Sequence, residues 1–249
     1  MLFLHGITAN HRVWDPIVNE LSGHYRCVSV DQRGHGRSDA PESGYRDLDY
    51  SDDIRGLADE VSPTQRVVLV GHSLGARNAL VAAHRFPDRV SGVVAIDFTP
   101  YTPLEELDLI VSRLALAPDH YPSRQALHDF LAPRYPLLSA EAIDRRIDGG
   151  FDEHPDGRLT PRAAKHALEQ TAQGLYADLE GPVSALTVPT LLIRGSESPV
   201  VPEDAYLRTL TLNPLLTGVV VEGTDHFVPE ERPHEVAGLI TDFIRRLSN

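Results

Sequence analysis

Val67-Val-Leu-Val-Gly71-His72-Ser73-Leu74-Gly75 is the stretch that decides how the rest of this chain is read. A continuous apolar run stops at a G-x-S-x-G pentad, and Ala76, Ala79, Leu80 and Ala83 then keep helical spacing. Strand, tight turn and helix in that order lift a serine to the exposed end of a strand, beside a helix N-terminus. Gly71 and Gly75 let the chain turn sharply and let neighbouring backbone approach. The bare pentad also fits an ordinary glycine turn; the strand before it and the helix after it are what favour a nucleophile at Ser73.

Short apolar runs of the same kind recur at Leu2–Leu4, Val28–Val30, Val93–Ile96, Leu191–Ile193 and Val219–Val221. Such runs suit strands buried on both faces, as in a parallel sheet. Near the end, Pro233 stands where a helix would start, and Val236, Leu239, Ile240, Phe243, Ile244 and Leu247 form one apolar helical face. Strands alternating with helices predict an α/β doubly wound fold. The rhythm stops between Thr99 and Thr187, where helix-like patterns are interrupted by prolines and no buried-strand run occurs. This length far exceeds an ordinary crossover. The expected organisation is therefore a core of residues 1–98 and 188–249, with residues 99–187 as a helical cap over the carboxyl edge of the sheet.

Composition narrows the class. The 249 residues carry 23 Lys+Arg against 36 Asp+Glu, a net charge of −13. That balance argues against a nucleic-acid partner, because phosphate contact needs a basic face. It says nothing against a small anion, which a few arginines can hold. The single cysteine, Cys27, excludes an intramolecular disulfide and a thiolate metal cluster. No run approaches the ~18 apolar residues of a membrane span, and no secretion-type leader is evident. A cytoplasmic enzyme acting on a small molecule is the expectation, with monomer and homodimer both open.

A serine hydroxyl needs a base. Of the twelve histidines, His226 follows the last strand and precedes the final helix, in a loop that returns to the elbow. His72, beside Ser73, points away from it and is expected to be structural; His35 is expected to stabilise a turn. An oxyanion hole needs two backbone N–H donors. Leu74 supplies one, and Ile7, in the loop after Leu2–Leu4, the other. The acid that orients the base has two candidates. Asp97 ends the strand Val93–Ile96, while Glu197 lies in the loop Arg194–Pro202. Asp97 is the better placed; Asp225, next to His226, points the wrong way.

His5–Asn10, Asp31–Gly36, Gly71–Asn78 and Val94–Tyr101 together resemble the α/β-hydrolase superfamily. Within it they are similar to the bacterial amidohydrolases of vitamin B6 breakdown that cleave 2-(acetamidomethylene)succinate, an acetamide joined to an unsaturated dicarboxylate. That resemblance extends to Phe130–Pro136 and Thr171–Leu175. It implies an α/β-hydrolase fold and a Ser73–His226–Asp97 triad whose acid follows an earlier strand than usual. It also implies a serine, here Ser198, where most relatives keep the acid. It implies substrate carboxylates held by Arg113, Arg134, Tyr135 and Ser198, pairings that guanidinium forks suit. No metal or organic cofactor is implied. The products would be acetate, ammonia, carbon dioxide and succinic semialdehyde. It further implies strands ahead of Leu2–Leu4 that this sequence does not contain, so a mis-set start or a truncation is expected, with the neighbour of Leu2–Leu4 left unprotected. Competing readings are a small-molecule carboxylesterase, a carbon–carbon bond hydrolase, and a non-catalytic ligand receptor on a hydrolase scaffold.

Overall fold

The computed structural model describes residues 1–247. Six parallel strands form the sheet: β1 (Leu2–Leu4), β2 (Val28–Val30), β3 (Val67–His72), β4 (Val90–Ile96), and two after a long insertion, Thr190–Gly195 and Leu216–Val221. All six coincide with the apolar runs of the sequence. Helix α1 (Asp15–Leu21) joins β1 to β2, α2 (Asp47–Val61) joins β2 to β3, and α3 (Leu74–Arg85) joins β3 to β4. The insertion holds α4 (Leu104–Ala115), α5 (Arg124–Leu131), α6 (Ala140–Gly150), the antiparallel pair β5 (Phe151–Glu153) and β6 (Leu159–Pro161), α7 (Lys165–Gly174) and α8 (Glu180–Ser184). The late strands are thus β7 (Thr190–Gly195) and β8 (Leu216–Val221), followed in turn by α9 (Glu203–Leu210), and by α10 (Val228–Glu231) and α11 (Pro233–Leu247).

Alternation along each strand explains why the apolar runs are unbroken. Leu2, Leu4, Leu69, Val93, Ala95 and Leu192 pack on the face covered by α2, α3, α8 and α9. Phe3, Val70, Val94, Ile96, Leu191 and Ile193 pack on the other face, against α1 and α11. Successive side chains of a strand point to opposite faces, so a sheet covered by helices on both sides demands apolar residues at every position.

One expectation needs correction. The insertion is not purely helical: β5 and β6 form a hairpin, too exposed and too short to read as a buried strand pair. Leu2–Leu4 does have an edge strand as its neighbour. The strand order β2-β1-β3-β4-β7-β8 places β1 between β2 and β3, because the chain returns past β1 to build the other half of the sheet. The edge strand on that side is β2, whose residues are half-buried.

Candidate active site

Ser73 and Asp97 are the two non-glycine residues with positive φ, 51° and 50°, among those described. Both stand just beyond neighbouring strands, β3 and β4, at the carboxyl edge of the sheet. A backbone conformation that costs energy persists only where the surroundings enforce it, and such outliers gather at functional sites. At the Ser73 elbow the enforcement is visible. A Cβ added to Gly75 would lie 2.0 Å from the Leu4 carbonyl oxygen, and one added to Gly71 would lie 2.3 Å from that of Gly75. Only glycine lets β1, the turn and α3 meet so closely. Leu74 opens α3, so its N–H has no acceptor within the helix.

Asp97 is completely buried, and its carboxylate accepts three hydrogen bonds. Gly195 N–H donates to Oδ1 at 2.9 Å, the Ser198 hydroxyl donates to Oδ2 at 2.5 Å, and His226 Nδ1 lies 2.7 Å from Oδ2. A carboxylate only accepts, so Nδ1 of His226 carries the proton and Nε2 is the free basic nitrogen. Glu197 is exposed, and its backbone N–H is tied to the Thr224 carbonyl. Asp225 accepts from the His226 backbone N–H rather than from the ring. Of the three acids weighed in the sequence, the structure brings Asp97 to the imidazole.

The surrounding histidines hold the loops. Nε2 of His72 lies 2.7 Å from the His226 carbonyl oxygen, to which it donates. Burial, and next the neighbouring His226 ring, hold the His72 pKa well below the usual range, so it stays neutral. His35 Nε2 lies 2.7 Å from the Ile7 carbonyl oxygen and fixes the loop after β1. His5 is fully buried, and burial pushes its pKa down to about 3. Ile7 itself packs with Leu74 and with Leu114, Ala167 and Ala172 of the insertion.

A cavity of about 260 Å³ opens beside Ser73, lined among others by Leu74, Asp97, Ile110, Leu175 and Arg77. A larger groove of about 1140 Å³ runs along the β2 edge, but Ser73, Asp97 and His226 are all absent from its lining. The chemistry therefore belongs to the smaller cavity. Among the described residues no group of three or more His, Cys, Asp and Glu side chains is arranged to hold a metal ion.

The four residues implied for carboxylate binding fare differently. Ser198 is turned onto Asp97 and does not line the cavity. Tyr135 is half-buried, with its hydroxyl 3.4 Å from Thr8 Oγ1 and its ring 4.8 Å from that of Phe227, so it lies beside the His226 loop. Arg113 is exposed on α4, and Arg134 is exposed with its guanidinium 3.5 Å over the Phe130 ring. Neither arginine reaches the cavity lining. Other arginines, not singled out in the sequence, are buried instead, among them Arg77 and Arg146. Arg77 lines the cavity, and Arg146 of α6 forms a bidentate pair with Glu230, at 2.8 and 2.5 Å. Arg77 had a signal that could have found it, a cation in the opening of the helix after the elbow. Arg146 had none, since its partner is 84 residues away.

A family model described as alpha/beta hydrolase fold matches residues 1–233. The chain is 45% identical over 244 residues to 2-(acetamidomethylene)succinate hydrolase of Mesorhizobium japonicum, covering 98% of this chain and 87% of that one. It superposes on a crystal structure of E-2-(acetamidomethylene)succinate hydrolase with a TM-score of 0.94 at 44% identity, covering 98% of this chain and 91% of that one. An esterase of Mycobacterium tuberculosis superposes with a TM-score of 0.84 at 25% identity, over 98% of this chain and 84% of that one. No described helix is long and apolar enough to cross a membrane. The serine elbow, the acid-bound histidine and the family match lead to one conclusion: this chain is a member of the α/β-hydrolase family and a hydrolase.

Proposed function

We propose that the chain hydrolyses the amide bond of 2-(acetamidomethylene)succinate through an acetyl-Ser73 intermediate. The observation that carries this reading is the likeness to the enzyme of that name along nearly the whole chain. The geometry supports the steps. His226 Nε2 takes the proton of Ser73 as its oxygen attacks the acetyl carbon. Asp97 holds Nδ1–H and stabilises the imidazolium that forms. The N–H groups of Leu74 and Ile7 receive the oxyanion. The tetrahedral adduct collapses as His226 protonates the departing nitrogen. That nitrogen is conjugated to an alkene bearing a carboxylate, which makes it a better leaving group than a simple amine. Water, activated by His226, then releases acetate and restores Ser73.

In this reading residues 99–187 act as a cap. They carry a small core of their own around Leu127, Leu131, Ile143 and Leu159, and they contribute Ile110 and Leu175 to the cavity wall. Arg113, one turn beyond Ile110, and Arg134, next to Tyr135, are the proposed outer contacts for the substrate's carboxylates.

The test is acetate release from 2-(acetamidomethylene)succinate by the purified protein, alongside hydrolysis of 4-nitrophenyl acetate. Saturable turnover of the acetamide, with selectivity reduced in Arg113→Ala and Arg134→Ala, is expected. Good turnover of the ester with none of the acetamide would overturn the reading in favour of a carboxylesterase, the activity that the likeness to the M. tuberculosis esterase favours.

A further inference from the structure

Arg77 is 1% exposed. Its Nη1 donates to Asn78 Oδ1 at 3.0 Å and its Nη2 to the Gly174 carbonyl at 2.7 Å, while its Nε has no partner. No carboxylate pairs with it among the described residues; Asp47 acts on it only through space. A guanidinium taken out of water without a counter-ion is costly, and buried charges are as a rule paired. Its position adds to the cost. Arg77 is the fourth residue of α3, and its backbone N–H donates to the Ser73 carbonyl. The first turn of a helix favours anions and disfavours cations. Helix stability therefore does not explain the residue.

Its direction does suggest a use. The Cα–Cβ bond of a helical residue leans toward the helix N-terminus, here toward Ser73. Arg77 lines the same cavity as Ser73 and Leu74. The Gly174 carbonyl, at the end of α7, and the Asn78 amide hold the guanidinium from two sides, which orients it without neutralising it. The carboxylates in the cavity wall do not cancel it either: Asp97 is engaged by His226, Ser198 and Gly195, and Asp178 is exposed.

We infer that Arg77 is an anion receptor in the floor of the Ser73 cavity, and that it takes a carboxylate of the substrate's non-transferred half. This rests on the reading of the site as a serine hydrolase for a carboxylate-bearing acyl compound, and it assigns an inner contact that Arg113 and Arg134, both outside the cavity, do not make. A substrate carboxylate supplies the missing counter-charge, so the desolvation already borne by the folded protein is recovered on binding and the acyl group is oriented toward Ser73.

The test uses two acetyl esters that differ in charge in the leaving half, 4-acetoxybenzoate and the uncharged 4-acetoxybenzamide. The readout is the ratio of their kcat/KM values in wild type and in Arg77→Met. The expected fall in that ratio is about ten- to a hundredfold, the worth of a charge-assisted hydrogen bond. A ratio unchanged within twofold overturns the proposal. A second measurement does not depend on the folding of Arg77→Met. In the wild-type protein the Arg77 Nε–H resonance, assigned by its loss in Arg77→Lys, moves downfield with succinate and not with succinamide. No movement with succinate overturns the proposal just as well. Failure of the protein to hydrolyse 2-(acetamidomethylene)succinate would sink the proposed substrate, but the ester ratio would still report on Arg77.

Discussion

Removing the Glu230 carboxylate by Glu230→Gln is expected to destabilise the protein more than any single surface change. Arg146 and Glu230 are both buried, at 3% and 1% side-chain exposure, and bond through two N–H···O contacts. The guanidinium also lies against two rings, 4.2 Å from the centre of the Tyr135 ring and 4.9 Å from that of Phe227. Taking away the carboxylate leaves a full charge buried against those rings with no counter-ion. Breaking a buried pair from one side costs ~3–5 kcal/mol, which at ~2–4 °C per kcal/mol for a chain of this size lowers Tm by roughly 6–20 °C. Replacing both partners by apolar residues, Arg146→Met with Glu230→Leu, removes the desolvation of both charges and is expected to recover most of that loss. The assay is urea and thermal unfolding of the wild type, both single variants and the double variant. The expected coupling energy is at least ~1.5 kcal/mol. A loss below ~1 kcal/mol in Glu230→Gln, or additive single effects, would refute the reasoning. Because Arg146 belongs to α6 and Glu230 to the helix just after His226, kcat is expected to fall in the single variants as well.

Three further outcomes are expected. Asp97→Asn lowers kcat by about 10⁴-fold, because the histidine loses its orienting carboxylate, while Glu197→Gln stays within twofold; the reverse pattern in steady-state kinetics would move the acid to Glu197. Ser198→Ala lowers kcat about tenfold by removing a donor to the Asp97 carboxylate, with KM little changed; a raised KM for the dicarboxylate with unchanged kcat would instead put Ser198 on the substrate. Burial holds His5 at about 3, His35 below its ordinary value and His72 well below it, whereas all three titrate near 6.5 when unfolded. Below pH 6.5 the unfolded chain therefore binds more protons than the folded one. The stability from these residues is complete above that pH and is lost as pH falls, each histidine adding up to about 1.4 kcal/mol per pH unit. Urea midpoints at pH 7.5, 6 and 5 measure this, and equal midpoints would contradict it.

The strands, the elbow and the candidate triad were legible because each leaves a local mark. A strand buried on both faces is a continuous apolar run, as at Val93–Ile96. A serine between two glycines at a strand end announces a turn that larger residues would block. A carboxylate at the end of a strand, as at Asp97, is carried to the same edge as the serine by sheet geometry alone. The hairpin β5–β6 left no such mark, since three-residue strands with exposed faces need no apolar pattern.

The sequence by itself thus determined the doubly wound sheet, the position of Ser73 and His226 as its base, and it favoured Asp97 over Glu197 as the acid, a choice that the tertiary contact to His226 decided. Only the tertiary structure decided which polar groups lie inside. It turned Ser198 onto Asp97, left Arg113 and Arg134 in water, and buried Arg77 and Arg146. The reason is physical. Apolar burial is written in the period of the chain. The direction taken by a long, charged side chain is set by partners far away in sequence, Gly174 for Arg77 and Glu230 for Arg146, that only folding brings near.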